Sequence, residues 1–272
     1  MLRLALLFAL LPALALAQDT PPPAAAPAAP LEVRARARAA IPYVQELVCM
    51  SIRATTADGT TELARRTEET LKRCVGPDVR AAFPEGPAAE AGSQIRATWK
   101  TLTEALVIPA GETFEQRPMR LFTIQEAGDE LLGRLQALAD EALKAATAQG
   151  AAAPDEGTPT LDAGLWNVRR NALWVLSGIS EDDKSVTHAL RYLVQVDGEL
   201  KAATEARAAK GDPAANAPYA NLHTALEALK KAVEKALEKH EKRPETIPAV
   251  EEAWKAAFDA RTAFAAVPRA TR

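Results

Sequence analysis

The chain has 272 residues, 48% hydrophobic but only 5% aromatic, and its 33 Lys and Arg against 36 Asp and Glu give a net charge of -3. That mild acidity, with both signs interspersed, argues against nucleic acid or an anionic membrane surface as the main partner. Ala, Leu, Glu, Lys and Arg dominate while β-branched residues are scarce, so the intrinsic preference is strongly helical.

The opening MLRLALLFALLPALALAQDT has a cationic start at Arg3, an apolar stretch from Leu4 to Leu14 and the small-residue site Ala15, Leu16, Ala17. This is the pattern of a secretory signal peptide over residues 1–17, cut before Gln18. An uncleaved anchor would need about 20 apolar residues, and Gln18 stands where a lipid anchor would need Cys. Cleavage removes Arg3 and takes the net charge to -4. No later apolar run is long enough to span a bilayer. The expected location is therefore periplasmic or secreted, with no transmembrane anchor after cleavage. Residues 18–30, rich in Pro and Ala, form an extended spacer that cannot bury a core.

Residues 31–148 should form a first helical bundle, broken at ADGT (57–60), VGPDV (75–79), FPEGP (83–87) and IPAGE (108–112). Cys49 and Cys74 are an even pair in a chain bound for an oxidising compartment, which makes a disulfide one candidate and two separate buried thiols the other. If ADGT joins two antiparallel helices, Cys74 lies farther from the turn than Cys49, a mismatch on the order of 10 Å against bridging. Leu121, Ile124, Gly128, Leu131, Leu135, Leu138 and Ala142 alternate steps of three and four. That heptad seam predicts a long helix over about 113–148, with Gly128 and Ala142 admitting a close neighbour.

QGAAAPDEGTPT marks a linker over residues 149–160, and residues 161–268 form a second bundle. Ser180 followed by Asp183 predicts an N-cap and a helix over 181–209. KGDPAANAP (210–218) and KRPETIP (242–248) read as further breaks. Between them Leu226, Leu229, Val233, Ala236 and His240 make a second seam, opposite a mixed-charge face from Glu227 to Glu238. The expectation is an all-α fold of about eight helices in two antiparallel bundles. Segments around Trp99 and Trp254 share Trp-Lys and flanking residues, and LVCMS (47–51) parallels LWVLS (173–177). Their common order suggests a diverged internal duplication.

Met50, Ser51 and Arg53 in the first half, Leu176 and Ser177 in the second, and Trp99 and Trp254 downstream carry a family likeness. In these residues the chain resembles the N-terminal periplasmic sensor domain of type IV pilus methyl-accepting chemotaxis transducers, related to nitrate/nitrite sensors. The resemblance covers most of residues 35–265 and implies a detached periplasmic helical module. Val48 and Trp174 stand at the position of that family's leading Arg, so no nitrate contact carries over there.

His188, His223 and His240 have no second His or Cys at ligand spacing, so no metal site is expected, and no motif implies a cofactor. No G-x-S-x-G, P-loop or H-E-x-x-H is present, and Ser51 and Ser177 lack an obvious base, so the chain reads as non-catalytic. The strongest ligand-binding candidate is WNVRRNALW, where Trp166, Arg169, Arg170 and Trp174 could hold an anion or stack on a planar group. The leading functional expectation is a sensor-like binding module for a small ligand or an envelope protein partner. The rival is a structural adaptor whose seams pair with other helices, including those of a second copy in a homodimer. A cavity beside Trp166 and Arg170 would favour the first, and an unburied apolar stripe the second.

Overall fold

A computed structural model describes residues 29–54, 58–113, 115–151, 159–239 and 243–267. Residues 1–28, on which the expected signal peptide and most of the expected spacer fall, the centre of the expected linker and His240 lie outside the described residues. Among the described residues the fold is all-α, with eight long helices, one short α-helix, a three-residue 3-10 helix (Pro213–Ala215) and no strand. In chain order these are α1 (Pro30–Arg53), α2 (Asp58–Cys74), the short α3 (Pro77–Ala82), α4 (Pro87–Leu106), α5 (Arg117–Ala148), α6 (Pro159–Leu176), α7 (Asp183–Ala209), α8 (Asn216–Leu237) and α9 (Arg243–Ala265). None is long and apolar enough to cross a membrane.

Proline sets several of the starts. A ring without an N–H is tolerated in the first turn, and Pro77, Pro87 and Pro118 all sit there. Pro118 therefore places the start of α5 at Arg117 rather than near residue 113. VGPDV and FPEGP bracket α3, a single extra turn-and-a-half that periodicity could not reveal in six residues. The N-cap of α7 is Asp182, whose side chain accepts the Lys184 N–H, while Ser180 accepts from the Asp182 N–H. The cap thus lies two residues beyond the expected Ser180, with the Asp182 carboxylate at the positive end of the helix. Pro248 lies inside α9 rather than in a break.

The helices close two rings. In the first, α1 packs on α2 and α5, and α4 packs on α5 and α2. Arg36 near the start of α1 donates to the Arg73 carbonyl at the end of α2, so this pair runs in opposite directions. Arg38 reaches Gln136 while Arg117 reaches the Ile52 carbonyl, so α1 and α5 do the same. All seven seam positions of α5 are buried. At Gly128 an added Cβ would come within 2.5 Å of Val48 Cγ2, so this glycine is what lets α1 approach. In the second ring α6 packs on α7 and α9, and α8 packs on α7 and α9. Leu226, Leu229, Val233 and Ala236 of α8 are buried inside it.

Each ring has its own apolar core, and α6 bridges them. Trp166 and Leu173 of α6 belong to the core of the first ring, whereas Leu165, Val168 and Ala172 belong to the second. The two Trp-Lys segments do not hold equivalent places. Trp99 is on α4, the third long helix of the first ring, and Trp254 is on α9, the fourth of the second. That pairing therefore does not follow the order of the helices, although LVCMS and LWVLS both fall at the ends of the first helices.

Candidate functional site

The segment expected to bind a ligand is occupied by the protein itself. Arg169 is 4% exposed and lies between α1 and α9. Its Nε and Nη2 donate to Glu251 at 2.9 and 2.7 Å. Nη1 and Nη2 donate to the two oxygens of Glu46, the second bond being 3.2 Å long. The guanidinium also sits 4.1 Å from the centre of the Trp254 ring, and the Trp254 indole N–H donates to the Leu165 carbonyl at 3.1 Å. Burial by itself pushes the Arg169 pKa down, but the hydrogen bonds to Glu251 and Glu46 outweigh it, so the net shift is upward. A cation held by two carboxylates in a water-poor seam has little left to offer an anionic ligand.

Arg170 points to the other side of α6. It pairs with Asp129 of α5 at 2.5 Å and stacks over Trp166 at 5.6 Å from the ring centre. Trp166 is 7% exposed, and Trp174 is half-buried against the first core. So the four residues do not converge on one open space. They form a seam between the rings, extended by Asp162 of α6, which Arg261 of α9 contacts and Arg38 of α1 also influences. Sequence reading missed Glu46, Asp129 and Glu251. These counter-charges come from 41 to 123 residues away, and no local spacing announces them.

Cys49 and Cys74 are free and buried, which corrects the disulfide alternative. Cys74 ends α2 beside Arg36, whereas Cys49 lies about a dozen residues farther along α1, on the order of 15–20 Å of helix rise away. The expected staggered-hairpin mismatch is real and larger than a bridge can span. Burial pushes each thiol up to about 12. Ser51 is likewise inert in geometry, its hydroxyl donating to the Leu47 carbonyl at 2.6 Å in the preceding turn.

Two open features stand out among the described residues. Between α7 and α8 the Asp197 carboxylate accepts the Tyr219 hydroxyl at 3.0 Å and lies 2.7 Å from His223 Nδ1, beside a groove of about 300 Å³ next to Lys201 and Glu205. Among the described residues no group of three or more His, Cys, Asp or Glu could hold a metal ion. The second feature is a cleft of about 380 Å³ at one end of the first ring, where the α4–α5 connection passes the end of α1. Ile108, Pro109 and Thr113 form its rim, and Glu112 and Arg117 its polar wall. Arg120 donates to both oxygens of Glu112 at 2.5 and 3.1 Å and holds that carboxyl below its usual range. The chain matches no protein-family model, no curated protein and no solved structure.

Proposed function

We propose that this chain is an exported, non-catalytic helical binding module that recognises a small ligand or an envelope protein partner through the outside of its helices. The observation that carries this reading is where the apolar surface lies. Met119, Val107 and Phe122 are the three most exposed large hydrophobic residues described, at 72, 65 and 51%, and all fall within sixteen positions at the end of the first ring. Such side chains scattered singly need no explanation, but three so exposed within one short stretch of chain favour contact with a partner. The signal-peptide pattern of residues 1–17 supports export, and the likeness to type IV pilus transducer sensor domains supports a sensory setting.

The adaptor alternative cannot use the heptad seams, because they are buried inside the two rings, but the exposed apolar residues between 107 and 122 are a feature it shares with a protein-partner binder. Native mass spectrometry of protein purified without refolding from an exporting host tests the proposal. A non-covalent adduct, of small mass or of a partner chain, is the expected result. A bare, monomeric mass in every preparation would count against a binding role.

A further inference from the structure

The groove between α7 and α8 holds polar groups that the fold leaves unused. Lys201, Thr204, Glu205 and Ala208 recur at helical spacing on one face of α7, Asn216 and Tyr219 stand one turn apart on α8, and together they line about 300 Å³. Thr204 is only 5% exposed, yet among the described residues its hydroxyl makes no hydrogen bond, and its oxygen is not sealed from solvent. The groove it lines is therefore where that hydroxyl opens. In the same helix the Thr187 hydroxyl bonds back to the Asp183 carbonyl at 3.0 Å, the ordinary outlet for a helical threonine. A covered hydroxyl without a partner costs stability, and a ligand that bonds it recovers the loss.

The charges beside it are also unused. Lys201 and Glu205 lie one turn apart on the groove face, but among the described residues neither makes an ion pair, and Lys preceding Glu is the weaker order for such a pair. Asp197 has no oxygen to spare, since one accepts the Tyr219 hydroxyl at 3.0 Å and the other lies 2.7 Å from His223 Nδ1. Burial, that hydrogen bond and the charges of Asp197 and Glu205 all raise the Tyr219 pKa, so the hydroxyl stays a donor to Asp197. With its hydroxyl held there and Phe264 against it edge-on, the Tyr219 ring is a fixed apolar wall, and Ala208 is apolar too. A free ammonium, a free carboxylate and a hydroxyl beside an aromatic wall fit a ligand that carries both charges and an apolar group. We propose that this groove binds an α-amino acid with an apolar side chain, its carboxylate on Lys201 and the Thr204 hydroxyl, its ammonium on Glu205, and its side chain against the Tyr219 ring. This deepens the binding-module reading and rests on it.

Titration of the full chain with leucine, followed by calorimetry and by amide chemical shifts, tests the site against isoamylamine, which lacks the carboxylate, and isocaproate, which lacks the ammonium. Leucine should bind at one saturable site, with each analogue weaker by about tenfold or more. Glu205→Gln and Lys201→Met, both at exposed positions, should each weaken leucine about tenfold and leave the melting temperature unchanged. Thr204→Val should weaken it about fivefold without lowering the melting temperature, since no internal hydrogen bond is lost. Absence of leucine binding, equal binding of either analogue, full affinity in any of the three variants, or a less stable Thr204→Val protein would overturn the proposal. A protein that leaves its host carrying some other ligand but ignores leucine refutes this site alone, and one that ignores leucine and leaves every host bare refutes the wider reading as well.

Discussion

Replacing Arg169 by Met removes a cation while keeping most of the aliphatic stem. The loss includes four charge-assisted hydrogen bonds and the contact with Trp254, and it leaves Glu46 and Glu251 facing each other across the seam. Removing one partner of a fully buried ion pair costs about 3–5 kcal/mol. Two features here pull the figure down. The Glu46 side chain is 37% exposed and can take water, and Glu251, 16% exposed, keeps Arg53 at 3.4 Å. The expected loss is therefore about 2–4 kcal/mol, a drop of roughly 5–15 °C in melting temperature for a chain of this size. Urea unfolding of Arg169→Met, Glu251→Gln and the double variant measures it. The double variant should be less damaged than the sum of the singles by about 1 kcal/mol or more, since it leaves one fewer stranded carboxylate. A loss below about 0.5 kcal/mol for Arg169→Met, or simple additivity, would show that the guanidinium does not join the rings.

Four further outcomes follow from the same geometry. Gly128→Ala gains helix propensity of about 1 kcal/mol but drives a methyl into Val48, so a net loss of about 1–2 kcal/mol should appear in urea unfolding. Arg170→Ala removes a pair with the half-exposed Asp129 and a stack on Trp166, and should cost only about 0.5–1.5 kcal/mol in urea unfolding. Cys49 and Cys74 should resist a disulfide reagent at pH 8 in the native protein, and both should react in denaturant; no reaction there would mean that they are bridged. Because burial raises both thiols, the unfolded chain ionises first as pH rises. The stability they confer is intact below about 9 and is lost between about 9 and 12, so Cys49→Ala should flatten the fall in melting temperature across that window.

Sequence patterning carried the fold because helical cores are periodic. The seven seam residues of α5 are all buried, and the break segments fall close to the observed helix ends. Caps and starts were less legible, since Pro118 and Asp182 each settle a boundary by one local interaction that competes with equally plausible neighbours. The basic-aromatic segment was found for sound reasons, as Trp166 and Arg170 do stack four residues apart. Its surroundings were not legible, because Glu46 and Glu251 meet Arg169 only through tertiary packing. The end cleft had no signature at all: Arg117, Arg120 and Glu112 look like ordinary surface charges until the helix ends bring them together.

The proposed binding role is tested most directly by native mass spectrometry of protein taken without refolding from an exporting host. The account predicts a non-covalent adduct, of small mass or of a partner chain, that leaves on denaturation. A bare monomeric mass in every preparation would contradict it.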